Sequence, residues 1–106
     1  MSDEGPIEQL YVAIYRLIGN PPPSKLSDAA ITEQHRVFLQ DLFDRKVILG
    51  SGPVKDEHGK RHGGAIVILR AKSLAEAREI AAQEPICREG QRTFEVLPWQ
   101  RKLSGD

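Results

Sequence analysis

The sequence is poor in cysteine and has no excess of charge of either sign. Cys87 is the only cysteine, so an internal disulfide bond is impossible and we expect a reducing, cytoplasmic location. Lys plus Arg and Asp plus Glu number 15 each, which makes the formal net charge zero. Proteins that mainly bind nucleic acid or anionic membranes carry an excess of positive charge. We therefore expect neither partner.

Long apolar runs are also lacking. The longest is a handful of residues, whereas a membrane-spanning helix needs ~20. Residues 1–6 are acidic and polar, unlike a secretory signal. With 106 residues, 40% of them hydrophobic and 28% charged, the chain has the size and balance of one globular domain. We predict a lead-in over residues 1–9, a domain over 10–100 and a polar tail over 101–106.

The hydrophobic pattern predicts six elements in the order βαββαβ. Ser27 or Asp28 can cap the first helix, Ser73 and Glu76 have the spacing of a capping box, and Pro85 ends the second helix. The predicted elements are strand 11–18, helix 27–46, strands 47–54 and 65–69, helix 73–83, and strand 94–97. This order is typical of a ferredoxin-like α+β fold, an antiparallel four-stranded sheet with two helices on one face.

Both faces of the predicted sheet are apolar. In the first strand Tyr11 and Ala13 point to one face, while Val12 and Ile14 point to the other. Two helices cover only one face, and an apolar face left in water favours aggregation. We expect a homodimer that packs sheet against sheet. The alternative is a monomer with an open apolar face.

His35 is the first candidate for chemistry. It shares helical spacing with Ile31, Phe38, Leu42 and Phe43, which predicts that it points toward the sheet or along its edge. A buried imidazole needs a partner for each ring nitrogen. It is either a core histidine satisfied by a backbone carbonyl or half of a proton-transfer pair.

Glu84 is the candidate partner. Pro85 constrains the chain just after the second helix, so Glu84 occupies a defined corner. A carboxylate beside an imidazole selects its tautomer and raises its basicity, as general acid–base catalysis requires. The alternative is a solvated Glu84 that merely ends a helix, because spacing alone does not bring it to His35.

The segment Gly50-Ser51-Gly52-Pro53 is a third candidate. Glycines on both sides of Ser51 allow close backbone approach and could leave amide donors facing a small anion or carbonyl. The segment lacks the strand-to-helix turn of a nucleophile elbow and the Gly-Lys-Ser/Thr ending of a P-loop. A bulge without chemistry explains it equally well.

Other residues have weaker claims. His58 and His62 lie in a polar hairpin without a carboxylate motif, so we predict no metal site. Cys87 is better explained as a small buried apolar residue than as a catalytic thiol. Tyr11 and Tyr15 could stack on bases, but the third strand offers no aromatic partner.

Six short segments, in this order, resemble the YciI-like (YCII-related) proteins over roughly residues 11–99. None of the segments is specific alone, but the ordered set is. The resemblance implies a ferredoxin-like fold that pairs as a dimeric α+β barrel, and an enzyme with a His–Asp pair in a cleft. The segments are His35-x-x-x-Leu39, Leu49-Gly50-Ser51-Gly52-Pro53, Gly63-Gly64, Ser73-x-x-Glu76-Ala77, Glu84-Pro85-Ile86 and Pro98-Trp99.

The resemblance implies that His35 takes the histidine role and Glu84 the aspartate role. The chain departs from the family in two ways. Glu84 is one methylene longer than aspartate, and Thr32 stands where the family often has an arginine. Arg16 or Arg36 could replace that arginine as the cation for a substrate anion.

We therefore expect a cofactor-independent enzyme of isomerase or lyase type that acts on a small organic acid. In it His35 is the general acid/base, Glu84 orients it, and the Ser51-Gly52 backbone polarises a substrate carbonyl or carboxylate. One alternative is a dimeric module that binds a small ligand or a protein without catalysis. A purely structural domain that is fused or bound to a larger enzyme is another.

Overall fold

The computed structural model describes residues 8–103 of the chain. Residues 1–7 of the predicted lead-in and 104–106 of the predicted tail lie outside this range. The elements of the described part are β1 (Glu8–Leu17), α1 (Asp28–Asp44), β2 (Ile48–Lys55), β3 (Arg61–Leu69), α2 (Leu74–Ala82), α3 (Pro85–Arg88) and β4 (Arg92–Arg101).

The four strands form one antiparallel sheet in the order β2-β3-β1-β4. The two central strands, β1 and β3, are the first and third in the chain, so each α-helical connection crosses over a neighbouring strand. This topology confirms the ferredoxin-like α+β fold that the element order predicts. No helix among residues 8–103 has the length and apolar character needed to cross a membrane.

Local signals determine where the two main helices begin. The Ser27 hydroxyl accepts a hydrogen bond from the Ala30 amide, and the Ser73 hydroxyl accepts one from the Glu76 amide. Each serine satisfies a backbone N–H that has no partner within its helix. Both predicted starts are confirmed to within a residue.

The apolar stripe of α1 differs from the predicted one at a single position. Ile31 and Leu42 are buried and Phe38 packs against the core, but Phe43 is 62% exposed. Phe43 lies about 100° around the helix from Leu42, so the side chain beside the core there is Leu39 instead. Phe43 therefore belongs to the outer surface of α1.

Two prolines act differently from the prediction. Pro85 follows the end of α2 but also begins the short helix α3, because its constrained φ suits the first position of a helix. Strand β4 does not stop at Pro98 but continues to Arg101. β4 is an edge strand, where half of the backbone N–H groups face away from the sheet and a proline is tolerated.

The core lies between the helices and one face of the sheet. Tyr11, Ala13 and Tyr15 of β1 are buried there, and Ala77 and Ala81 of α2 are buried against the same face. Alanines at these positions let α2 approach the strands closely. Because strand side chains alternate, the intervening residues form the opposite face, which the helices leave open.

Gly63, in β3, has a backbone conformation that favours glycine, with φ +82°. A Cβ there would also overlap the Leu17 side chain. Gly63→Ala should therefore destabilise the fold both through backbone strain, about 1–2 kcal/mol, and through the steric clash. Urea unfolding measures the loss.

Gly59 provides the matched control, since its φ is +79° but a Cβ there meets no other atom within 4 Å. Gly59→Ala should show the strain alone. Equal losses in the two variants would refute the steric role of Leu17.

Candidate functional site

His35 and Glu84 are 49 residues apart in sequence and form a hydrogen bond, with 2.9 Å between His35 Nδ1 and Glu84 Oε1. His35 comes from the middle of α1, and Glu84 lies between α2 and α3. The Glu84 side chain is 1% exposed and that of His35 is 29% exposed. The pair therefore has one buried member and one that water or a ligand can reach.

The Glu84 carboxylate is held in a single orientation by α3. Glu84 is the N-cap of this helix, with Oε1 accepting from the Ile86 amide at 3.0 Å and Oε2 from the Cys87 amide at 3.1 Å. Pro85, at the first helical position, has no N–H to compete for these oxygens. The Glu-Pro sequence is thus a capping signal as well as a corner.

These contacts determine the charge of Glu84. Burial favours the neutral acid, but the hydrogen bonds from His35 and the Ile86 amide, together with the charge of Arg92, outweigh it and lower the pKa of Glu84. An ionised Glu84 only accepts hydrogen bonds, so Nδ1 of His35 carries the proton in this contact. A neutral His35 then has its lone pair on Nε2.

Arg92 is a third charged group at the site that the sequence pattern did not single out. Its Nη1 lies 3.5 Å from Glu84 Oε2, and its Nε donates to the Gly63 carbonyl at 3.0 Å. Its guanidinium carbon lies 5.8 Å from the ring centroid of Tyr15, close enough for a cation–π contact. Alternation along β4 is a signal that could have found it, because Arg92 shares the inward face with Phe94 and Val96.

The Tyr15 hydroxyl is held by the backbone of α2. It donates a hydrogen bond to the Ala81 carbonyl at 2.9 Å. Burial, with smaller contributions from Cys87 and Glu84, raises the pKa of Tyr15. Tyr15 is therefore neutral, and its ring forms one wall of the site.

A cavity of about 440 Å³ opens in front of the His35–Glu84 pair. Ser51, Gly52 and Pro53 line it from β2, so five of the seven predicted site residues surround one space. Arg61 and Arg92 line it as well. The volume suits a small organic molecule.

The other two predicted site residues, Arg16 and Arg36, lie outside the cavity. Arg16 has the same strand parity as Val12 and Ile14, so it projects from the open face, where it pairs with Glu95 at 2.8 Å. Arg36 is on the exposed side of α1 and pairs with Glu33 at 2.7 Å. Neither guanidinium is among the cations that line the cavity.

Cys87 lies beside the site without a reactive thiolate. Burial and the nearby Glu84 carboxylate raise the pKa of the Cys87 thiol to about 12. The protonated thiol is a weak nucleophile at neutral pH. Elsewhere among residues 8–103, no three His, Cys, Asp or Glu side chains are grouped so as to hold a metal ion.

The chain belongs to the family described as the YCII-related domain, which matches residues 13–100. Its fold is similar to that of 5-chloro-2-hydroxyhydroquinone dehydrochlorinase (TftG) from Burkholderia phenoliruptrix AC1100, solved in complex with 2,5-dihydroxybenzoquinone. The TM-score is 0.57 at 22% sequence identity, over 84% of this chain and 92% of that one. No curated protein sequence matches the chain.

The lowered pKa of Glu84 has a consequence for stability. Folding favours the carboxylate, so this contribution is complete above the unfolded pKa of about 4.3 and is lost as the pH falls through the lower folded pKa. Glu84→Gln should remove this pH-dependent contribution to the free energy of unfolding. The urea midpoint of the wild type should therefore fall more steeply below pH 4.5 than that of the variant.

Glu33→Gln is the control for this comparison. The pKa of Glu33 is also lowered, by its hydrogen bond to Arg36, but the pair is exposed and water screens it. This variant should follow the acid response of the wild type closely. Parallel midpoints in wild type and Glu84→Gln would mean that folding does not favour the Glu84 carboxylate.

Proposed function

We propose that this protein is a small-molecule enzyme of isomerase or lyase type that uses His35 and Glu84 for acid–base chemistry on a small organic acid. The observation that carries the proposal is the 2.9 Å contact between a buried carboxylate and an imidazole that lines a cavity. Such a pair has the parts that general acid–base catalysis needs: an accessible nitrogen base and a counter-charge for its protonated form.

The reaction begins with His35 Nε2 removing a proton from a carbon next to a substrate carbonyl. The electron pair of that C–H bond moves toward the carbonyl oxygen and forms an enolate. In an isomerisation, His35 returns the proton to another atom of the substrate. In an elimination, the electrons of the enolate form a C=C bond and expel a leaving group from the neighbouring carbon, and His35 then releases its proton to that group or to water. Glu84 stabilises the imidazolium through the Nδ1–H bond in both cases.

Strand β2 is the proposed partner for the carbonyl oxygen. It is an edge strand whose Ser51 and Gly52 line the cavity, and alternate N–H groups of an edge strand have no partner in the sheet. An N–H donor near a developing enolate oxygen lowers the barrier. Pro53, without an N–H, contributes an apolar wall.

The structural neighbour adds one candidate reaction. TftG is named as a dehydrochlorinase of 5-chloro-2-hydroxyhydroquinone. Loss of hydrogen chloride is an elimination, so that compound belongs in a substrate panel beside small 2-keto and 2-hydroxy acids. We also propose a cytoplasmic location, which the single cysteine favours.

Proton exchange tests the proposal without a known final product. Wild type incubated with the panel in D2O should incorporate deuterium into at least one compound, as followed by proton NMR. His35→Ala should slow this exchange by about 10²-fold or more, the usual contribution of a general base. Glu84→Gln should also slow it, because a glutamine supplies no counter-charge for the imidazolium.

His58→Ala is the matched control, since His58 is exposed and pairs with the exposed Glu57. It should exchange at the wild-type rate. Exchange that survives in His35→Ala would refute the assigned base. Binding of panel compounds without exchange would favour the non-catalytic ligand-binding module.

We propose further that the protein works as a homodimer joined through the open face of the sheet. Ile66, Leu97 and Trp99 are 38%, 47% and 41% exposed on this face, beside the half-buried Val12 and Ile14. Burying an apolar surface of this kind against a second copy of the chain lowers the free energy, and so stabilises the dimer.

Analytical ultracentrifugation should therefore give twice the chain mass of 11.8 kDa. Leu97→Glu should shift the protein to monomers by burying a charge in the interface. Val37→Glu should leave the dimer intact, because Val37 is similarly exposed, at 50%, but lies on α1. A wild type that sediments as a monomer would contradict the proposed interface.

A further inference from the structure

The Arg92 guanidinium has more hydrogen-bond donors than the protein uses. A guanidinium has five N–H donors, yet the only hydrogen bond that Arg92 donates to the described residues is the one from Nε to Gly63. Its side chain is 10% exposed, and Nη1 is buried without a hydrogen-bond partner. At 3.5 Å, the contact between Nη1 and Glu84 is a charge contact and not a directed hydrogen bond.

A buried charged donor without an acceptor is unfavourable, so a native structure that contains one needs an explanation. Arg92 lines the cavity, and the Gly63 carbonyl holds Nε. The guanidinium is therefore oriented in advance, and a ligand in the cavity meets the exposed tenth of the Arg92 side chain.

The charge of the cavity favours an anionic ligand. Its charged lining groups are Arg61, Arg92 and Glu84, with His35 able to add a proton. Arg61 forms no ion pair within residues 8–103 and Glu84 balances one guanidinium, so one positive charge remains when His35 is neutral. That charge complements a monoanion.

We propose that Arg92 is the carboxylate-binding residue of the site and determines its specificity for acids. The inference rests on the proposed function and deepens it. Arg92 Nη1 and His35 Nδ1 contact the two oxygens of one carboxylate, at 3.5 Å and 2.9 Å. A substrate carboxylate at Arg92 therefore lies close to the base, and the proton removed is within a few bonds of that carboxylate.

Calorimetric titration at pH 7 tests the assignment with paired probes, benzoate against benzamide and pyruvate against pyruvamide. Wild type should bind at least one carboxylate at least tenfold more tightly than its neutral amide. Arg92→Gln should weaken that binding roughly tenfold to a hundredfold, the range for a hydrogen bond to a charged group, and remove the preference. Arg92→Lys should retain part of it, since lysine keeps the charge without the planar fork.

Two controls locate the effect. Arg36→Gln, on the exposed side of α1 and outside the cavity, should bind as the wild type does. Arg61→Gln should retain a preference for the carboxylate, and if it loses that preference instead, the assignment to Arg92 is overturned. If Arg92→Gln fails to fold, the carboxylate preference of the wild type, Arg61→Gln and Arg92→Lys still tests the assignment.

Two results overturn the proposal directly: unchanged carboxylate affinity in Arg92→Gln, or a wild type that prefers no carboxylate to its amide. Failure of the catalytic proposal looks different, because His35→Ala should still bind the carboxylate while losing proton exchange. Carboxylate binding through Arg92 in a wild type that exchanges no proton supports this site and refutes the reaction.

Discussion

The buried carboxylate of Glu84 is the group on which the rest of the site depends. A charge out of contact with water is tolerated only when hydrogen bonds and an opposite charge compensate it, and here three elements supply them. The first turn of α3 donates two backbone N–H groups, α1 brings His35, and β4 brings Arg92. Satisfying this one group therefore orients the base and the cation, and connects the helical layer to the sheet.

The alternation of strand side chains explains why different arginines have different surroundings. Arg16 and Arg92 occur on the neighbouring strands β1 and β4, but Arg16 projects from the open face and Arg92 projects inward. The first ends in an exposed ion pair that water screens, the second in a cavity where its charge is felt more strongly. The face of the sheet from which an arginine projects, and not its residue type, decides whether it can contact a ligand in the cavity.

Local sequence signals predicted most of the fold. Serines before the helices, an apolar stripe on α1 and runs rich in β-branched and aromatic residues were sufficient to predict the order of the elements. Predictions differed from the structure at Phe43 and Pro98, where helical phase and position at a sheet edge matter, and at Pro85, which begins the unpredicted helix α3. In the site, His35 and the Glu84–Pro85 corner could be singled out from residue types, whereas Arg92 was missed because β4 begins at Arg92, two residues before the predicted strand 94–97.

The sequence by itself determined the elements, their order, the family resemblance and the proline that makes Glu84 a constrained residue. Those properties depend on neighbours a few positions apart, which the chain already specifies. Only the tertiary structure decided that Glu84 meets His35 across 49 residues, and that Arg92 and Arg61 line the cavity while Arg16 and Arg36 do not. The physical reason is that contacts between distant segments depend on sheet register and helix packing, which short-range patterns do not encode.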